Sequence, residues 1–447
     1  MDGLSDALVL AWDRLRGSFW FVPALMTLGA GVLAVLALSA DLFYDTEDPP
    51  AFLFTGGPEA ARAVLQAVAS STITVAGVVF SVTIAALSTT SQQYGPLLLR
   101  RFMRDPGNQV SLGTFIATFA YCLLVLRSVR NGDEGDPFVP HAAITIALLL
   151  ALASVAVLIF FLHHVTGSMR ASRIIEAAGE ELDHAIRDTF PLLPPPPEAV
   201  TVRPEDGVDE RRARGVTTVS SRQHGYIQQI NVQALRRLAE ERDATLLLRC
   251  AAGEYVMLGT PLVEVVPEQA RWSELDDRVN EAIATDVEPT SLQDPAFAAQ
   301  QLSQIVLRAL SPSINDPYTA ANAVSRLMAS CAHLGHRYTP PHVYRDERGT
   351  VRLVARVQTA ADVLHAILGP TGRVAAGEPA LARQLMAGMG EIARTLRPDD
   401  AEAREMLHDA ARMLLDEAQP HLRDDRARSA LAAAAREALA SPDALRR

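Results

Sequence analysis

The sequence predicts an α-helical membrane protein with four transmembrane helices and a cytoplasmic α+β region comprising a small β barrel or sandwich and a helical bundle. Two patterns support this fold class. Four apolar runs before residue 165 are long enough, or nearly so, to cross a bilayer, which takes about 20 residues of helix. The residues after them combine short strand patterns bounded by glycine with amphipathic helices, which is typical of a soluble α+β unit.

The first predicted domain, residues 1–165, contains the four spans. These are Trp20–Ala40, Ala63–Ser88, Val110–Leu126 and His141–Leu162. The third is short for a bilayer. The start of the chain shows no compact signal peptide with a small-residue cleavage site, so we expect the first span to be retained as an anchor.

The placement of arginine predicts the orientation of these spans, because basic loops stay on the cytoplasmic side. The basic residues on one side are Arg14, Arg16, Arg100, Arg101, Arg104, Arg170 and Arg173, and the acidic residues on the other are Asp41, Asp45, Glu47, Asp48, Asp133, Glu134 and Asp136. Arg127 and Arg130 lie on the acidic side and oppose this orientation without reversing it. We therefore expect a multi-pass protein of the bacterial inner (plasma) membrane with both termini cytoplasmic and about 280 C-terminal residues in the cytoplasm.

The second span carries an unusual number of hydroxyl groups for a membrane helix. At helical spacing, one stripe contains Ser70, Thr74, Gly77, Ser81, Ala85 and Ser88. A second stripe of small residues contains Thr72, Ala76, Val79, Thr83, Ala86 and Thr90. Two interpretations remain open for the first stripe. Small residues let membrane helices approach closely, whereas hydroxyls can also line a pore. The pore hypothesis assigns the lining to Ser70, Thr74, Gly77, Ser81 and Ser88.

Residues 166–215 are predicted to form a linker that is helical at first and then rich in proline. Residues 216–268 are predicted to form a small β-rich domain, because short strand patterns alternate with glycine turns. The spacing of Gly253 and Gly259 resembles the barrel-sandwich fold of biotinyl and lipoyl carriers. Since the chain contains no lysine, such a unit could carry neither group, and we interpret it as structural.

The last predicted domain, residues 269–447, is mainly helical. Residues 272–285 form a predicted amphipathic helix, and Asp294-Pro295 and Asp316-Pro317 each predict a helix start, with aspartate as the cap and proline in the first turn. The turn before the second start is dense in polar residues, and its candidate capping or ligand-binding residues are Ser311, Ser313, Asn315 and Asp316. A helix N-terminus can bind an anion. We favour a structural turn, because the Asp316 carboxylate would occupy the free N–H groups itself.

Composition narrows the classes of function. The net charge of −11 argues against nucleic acid as a partner, since nucleic-acid-binding proteins normally present a basic face. The three cysteines, Cys122, Cys250 and Cys331, lie far apart without metal-ligand spacing, which fits a reducing cytoplasm. The absence of lysine excludes Schiff-base chemistry and a P-loop. No H-E-x-x-H, G-x-S-x-G or paired-carboxylate motif is found, so we expect no enzyme activity, no cofactor and no metal.

Several segments together resemble a bacterial family of membrane proteins catalogued as domain of unknown function 2254. They are LRALSPSINDPYTA with QDPAFAAQQL before it, GYIQQINVQAL, the PLVEV strand and the four N-terminal spans. The resemblance covers nearly the whole chain, and the SINDP turn is its most specific part. It implies an integral membrane protein and no particular activity or site residues.

Two hypotheses about function follow. The first is an oligomeric inner-membrane channel or solute-conducting protein, in which the second span lines a path for an ion or small solute and the cytoplasmic region forms a vestibule or regulatory domain. The expected partners are the lipid bilayer and further copies of this chain. The second is a membrane-anchored scaffold or sensor whose cytoplasmic domain binds a partner or small ligand.

Overall fold

A computed structural model describes residues 19–43, 53–94, 105–130, 138–168, 170–200, 202, 208–422 and 425–438. The chain divides into two compact units whose boundary in the sequence falls between Arg173 and Ile174. Each unit is described by itself. Most of the residues used for orientation, including Arg14, Arg16, the arginines at 100, 101 and 104 and the acidic residues at 45–48 and 133–136, lie outside the described residues.

Four long helices form the N-terminal unit. They are α1 (Phe21–Phe43), α2 (Pro58–Tyr94), α3 (Pro106–Leu126) and α4 (His141–Ser168). Each is long and apolar enough to cross a membrane, so the four predicted spans are helices in the described part of the chain. At about 1.5 Å per residue, the 37 residues of α2 measure roughly 55 Å. This helix is therefore longer than the ~30 Å hydrocarbon core of a bilayer.

Helix α3 lies at the centre of this unit and contacts α1, α2 and α4. Half of its apolar stretch is buried, against 22% for α1 and for α4. Tyr121 and Cys122 of α3 are fully buried and pack with Ala34 of α1, Leu65 of α2 and Ile144 of α4. The span that looked short in the sequence is thus the interior helix of the bundle.

Polar contacts join the helices near the ends of the bundle. Both carboxylate oxygens of Asp41 accept hydrogen bonds from the first turn of α4, from the Ala142 and Ala143 N–H groups at 2.9 Å. Near the other end of α4, His164 Nε2 lies 2.9 Å from the Asp105 carboxylate. His141 and His164 are separated along α4 by about 35 Å, close to the thickness of a bilayer core.

The C-terminal unit contains two open sheets. Its strands are β1 (Thr217–Ser220), β2 (Gly225–Ile230), β3 (Thr245–Leu248), β4 (Tyr255–Val256), β5 (Pro261–Val266), β6 (Ile283–Asp286), β7 (Val343–Arg345) and β8 (Val351–Val354). A five-stranded sheet has the order β1-β5-β3-β8-β7, and a three-stranded sheet has the order β4-β2-β6. These strands do not close into the predicted barrel.

The sheets also include strands from beyond residue 268. Strand β3 lies inside its sheet, so both of its edges need hydrogen-bonding partners. One edge pairs antiparallel with β5, and the other pairs parallel with β8. Strand β6 follows directly after α8 (Leu275–Ala282) and pairs with β2. The prediction of a single helix over residues 272–285 was therefore wrong for residues 283–285, which belong to β6.

The remaining helices complete the C-terminal unit. They are α5 (Ala171–Thr189), α6 (Val208–Ala213), α7 (Val232–Glu241), α9 (Pro295–Ala309), α10 (Pro317–Ala332), α11 (Ala360–Ala375), α12 (Pro379–Thr395), α13 (Ala401–Ala418) and α14 (Asp425–Ala438). Helices α9 to α14 pack on one another as a bundle. The two predicted Asp-Pro helix starts are confirmed, with Asp294 capping α9 and Asp316 capping α10.

We expect the contact between α1 and α3 to be sensitive to added volume at Gly113. A Cβ atom there would lie 2.6 Å from Met26 Sδ and 3.2 Å from the Pro23 Cα atom. The Pro23 backbone cannot move aside, so Gly113→Leu should destabilise the protein by about 1–3 kcal/mol and lower its unfolding temperature in detergent. Gly29→Leu on α1 is the matched control, because nothing lies within 4 Å of a Cβ there. Equal unfolding temperatures for the two variants would contradict this packing.

Candidate functional site

Helix α2 presents its two small-residue stripes on opposite sides, about 180° apart at ~100° per residue. The stripe of Thr72, Ala76, Val79, Thr83, Ala86 and Thr90 is buried throughout. Ala76, Val79 and Ala86 pack against Phe115 of α3 and Phe161 of α4. Two of its threonines donate to carbonyls of their own helix, Thr72 to the Val68 carbonyl at 2.8 Å and Thr83 to the Val79 carbonyl at 2.7 Å. This stripe is the packing face of α2.

The other stripe faces away from the bundle. Its predicted pore-lining members are all exposed; they are Ser70, Thr74, Gly77, Ser81 and Ser88. Three of their hydroxyls bond within their own helix. Ser70 donates to the Ala67 carbonyl at 3.3 Å, Thr74 donates to the Ser70 carbonyl at 2.7 Å, and Ser88 accepts from Gln92 Nε2 at 3.5 Å. Ser81 makes no side-chain hydrogen bond within the described residues. Packing inside one protomer therefore does not explain this stripe.

The outward surfaces of α1 and α4 have a different character. They expose large aliphatic side chains such as Leu28, Val35, Leu152 and Ile159, as expected for helices that face lipid. An apolar groove of about 940 Å³ between α1 and α3 continues this surface, lined by residues such as Leu28, Val32 and Ile116. Helix α2 also exposes large apolar side chains, such as Val78 and Phe80, but between them runs the stripe of small, hydroxyl-bearing residues.

A polar cluster that we did not predict lies at the start of α3. Asp105 caps α3 through the Gly107 N–H and also contacts His164 of α4. One residue further on, Asn108 is 1% exposed, and neither of its amide atoms has a hydrogen-bond partner in the described part of the chain. A buried amide without a partner costs about 1–3 kcal/mol, so Asn108 would gain from a water molecule. The sequence signal for this cluster was a further Asp-Pro pair, Asp105-Pro106, which marks a helix start as Asp294-Pro295 and Asp316-Pro317 do.

The polar turn before α10 lies on the surface. Ser313 and Asn315 are exposed, while Ser311 and Asp316 are half-buried. Asn315 has a φ of 48°, in the left-handed region that asparagine tolerates better than most residues. The Asp316 carboxylate accepts from the Thr319 N–H at 3.0 Å and from the Thr319 hydroxyl at 2.6 Å. These bonds occupy donors that an anion would need, and they lower the pKa of Asp316.

Asp294 uses the same motif in a buried setting. Its carboxylate accepts from the Phe297 N–H at 3.0 Å and from Gln358 Nε2 at 2.7 Å. Gly253 approaches so closely that a Cβ atom there would overlap with Asp294 Oδ2. Burial raises the pKa of Asp294 despite these hydrogen bonds. One motif therefore yields two carboxyl groups with opposite pKa shifts.

The described cysteines and titratable groups form no metal site. Cys122, Cys250 and Cys331 are each buried and free. Burial raises the pKa of Cys250 to about 12, which keeps this thiol protonated at neutral pH. Within the described residues no group of three or more histidine, cysteine, aspartate or glutamate side chains could hold a metal ion.

Four apolar helices followed by a unit of two sheets and a helical bundle define a membrane protein with a large non-membrane part. A family model described as "Predicted membrane protein (DUF2254)" matches residues 16–391, and the chain belongs to this family. Uncharacterized proteins from Mycobacterium bovis and from two strains of Mycobacterium tuberculosis are each 31% identical over 390 residues, covering 86% of this chain and 73% of theirs. No solved structure matches the chain.

We expect the two capping aspartates to affect stability with opposite dependence on pH. The folded-state pKa of Asp316 lies below its unfolded value, so its contribution is present above the unfolded pKa and is lost as the pH falls through the folded pKa. The folded-state pKa of Asp294 lies above its unfolded value. The folded protein therefore loses stability as the pH rises from the unfolded-state pKa to the folded-state pKa of this group.

Asp316→Asn should therefore lower the unfolding temperature at pH 7 by more than at low pH, whereas Asp294→Asn should be better tolerated at pH 7 than at low pH. Thermal unfolding in detergent between about pH 2 and pH 7 measures both. Each variant is the matched control of the other, since asparagine can also cap a helix. If the unfolding temperatures of the two variants changed with pH in the same way, the opposite pKa shifts of Asp294 and Asp316 would be contradicted.

Proposed function

We propose that this protein is the subunit of a homo-oligomeric inner-membrane channel or solute-conducting protein in which α2 lines the path. The observation that carries this proposal is the outward stripe of α2, which is small, uncharged and rich in hydroxyls, while the opposite stripe already packs the protomer. Helices of several copies placed around an axis would direct this stripe towards the axis.

The chemistry of the stripe supports a path better than a lipid contact. Large apolar side chains suffice at a lipid surface, as on α1, on α4 and on the two flanks of the α2 stripe. Hydroxyl groups can face water or replace part of the hydration shell of a solute. Ser81, which makes no side-chain bond within the described residues, would find a partner there. Gly77 and Ser81 would let neighbouring α2 helices approach closely.

The arginine pattern of the sequence supports an orientation with both termini and the C-terminal unit in the cytoplasm. In that orientation the C-terminal unit would form a vestibule or regulatory domain. The acidic segments would lie at the outer mouth, where they would attract cations. A monovalent cation is therefore the first solute to test.

A second candidate function is a membrane-anchored scaffold or sensor. In that case the stripe of α2 is only an assembly face, and the C-terminal unit binds a partner or small ligand. A cavity of about 200 Å³ in this unit favours the second candidate.

The channel proposal predicts that a bulky apolar side chain at Ser81 blocks flux. Purified protein is reconstituted in vesicles loaded with K⁺, and efflux is followed with a K⁺ electrode. We expect the wild type to exceed protein-free vesicles and Ser81→Leu to lose about tenfold or more of that rate, because leucine would narrow the path. Ser39→Leu makes the same substitution on α1, where the Ser39 hydroxyl bonds to the Val35 carbonyl, and should leave the rate unchanged.

Two results would overturn the proposal. One is a wild type that passes neither K⁺ nor a neutral solute such as glycerol. The other is Ser81→Leu protein that is folded and conducts like the wild type. Circular dichroism and size-exclusion chromatography of both variants confirm that they remain folded.

A further inference from the structure

The cavity in the C-terminal unit lies at one particular edge of the five-stranded sheet. Strands β3 and β8 run parallel, so their carboxyl ends meet at the same edge. The cavity is lined by residues that end or follow these strands, including Leu248, Ala251, Ala355 and Arg356. In sheets with parallel strands, ligands characteristically bind in the crevice outside the carboxyl ends.

The walls of the cavity are preformed. Gln293 accepts a hydrogen bond from the Ile230 N–H at 2.9 Å through Oε1. Gln358 donates to the Asp294 carboxylate at 2.7 Å. Both glutamines line the cavity and are thereby held in place. A ligand would enter a site that needs little ordering, which lowers the entropic cost of binding.

Most of the interior surface is apolar. Ile230, Leu248, Ala355 and Val357 contribute aliphatic side chains to it. A volume of about 200 Å³ suits a small molecule with a short aliphatic body better than a nucleotide. The apolar walls also disfavour a fully polar ligand such as inorganic phosphate, because its hydration shell would not be replaced.

Two charged side chains of opposite sign complete the lining, Arg356 and Asp188. Arg356 donates to the Arg249 carbonyl at 2.9 Å and pairs with Glu254 at 3.1 Å. These contacts hold the guanidinium, whose five N–H donors exceed the number engaged. Asp188 lies in the last turn of α5, where the helix dipole also favours a positive charge.

The neighbouring helix starts do not offer a further anion site. The side chains of Asp294 and Thr359 occupy the first N–H groups of α9 and α11. A ligand carboxylate is therefore left to Arg356, and a ligand ammonium to Asp188.

We propose that this cavity binds a small zwitterion with an aliphatic body, that is, an aliphatic α-amino acid. Its carboxylate contacts Arg356, its ammonium contacts Asp188, and its side chain lies against Leu248, Ala355 and Val357. The inference rests on the second candidate function, ligand binding by the C-terminal unit. It holds whether or not α2 lines a channel; if it does, the amino acid is an effector bound away from the membrane spans.

The test is isothermal titration calorimetry of the detergent-solubilised full chain with three probes of similar shape. They are L-leucine, 4-methylpentanoate, which lacks the ammonium, and 3-methylbutylamine, which lacks the carboxylate. We expect L-leucine to bind, and each of the other two to bind at least about tenfold more weakly, because one charged side chain of the site then lacks its partner.

Substitutions of residues that line the cavity test whether L-leucine binds there. Arg356→Gln and Asp188→Asn should each weaken L-leucine binding by about tenfold or more. Arg249→Gln is the matched control, because Arg249 is as exposed as Arg356 (54% and 55%) and pairs with Glu264 instead. Ala252→Leu keeps every charge but fills the cavity, so it should abolish binding.

The outcomes separate the inference from the function on which it rests. If 4-methylpentanoate or the amine binds as well as L-leucine, with the same sensitivity to Ala252→Leu, the cavity binds ligands but the zwitterion assignment is wrong. If none of the three probes binds the wild type, the amino-acid proposal is wrong, and the cavity no longer favours the scaffold or sensor function. Equal loss in Arg356→Gln and Arg249→Gln would also overturn it.

Discussion

The close packing of α3 against α2 decides which side of α2 remains available to other molecules. Ala76, Val79 and Ala86 leave room for Phe115, and further along the same helix Leu65 packs with Tyr121. Because α3 occupies this side, α2 cannot bury its other stripe within the protomer. The hydroxyls of Ser70, Thr74 and Ser81 are thus exposed because α3 packs on the opposite side of α2, and the proposed channel depends on that packing.

The sequence predicted the helices of the membrane unit well, because long apolar runs between polar turns leave few alternatives in a bilayer. It did not predict which stripe of α2 is inside. Both stripes contain small residues and threonine or serine at the same spacing, and only the position of α3 distinguishes them. Nor did it identify α3 as the central helix, because its short apolar run suggested a weaker span.

The C-terminal unit shows how tertiary context changes the meaning of one motif. Asp294-Pro295 and Asp316-Pro317 were correctly predicted as helix starts, since capping is local. Their burial differs because Asp294 packs against Gly253 and accepts a hydrogen bond from Gln358, two residues that are distant in sequence. The strand at Ile283–Asp286 was missed for a similar reason, since β2 provides its partner. The cavity at the ends of β3 and β8 could not be predicted, because the pairing joins segments about 100 residues apart.

Disulfide crosslinking in native membranes tests most directly whether the outward stripe of α2 meets the same stripe of a neighbouring copy. A single cysteine is introduced at Ser81 or, as control, at Val32 on the aliphatic surface of α1, and the native cysteines are buried. We predict that oxidised Ser81→Cys protein forms crosslinked dimers and that Val32→Cys protein does not. Ser81→Cys protein that remains monomeric, or that crosslinks no more than Val32→Cys protein, would contradict a path lined by α2.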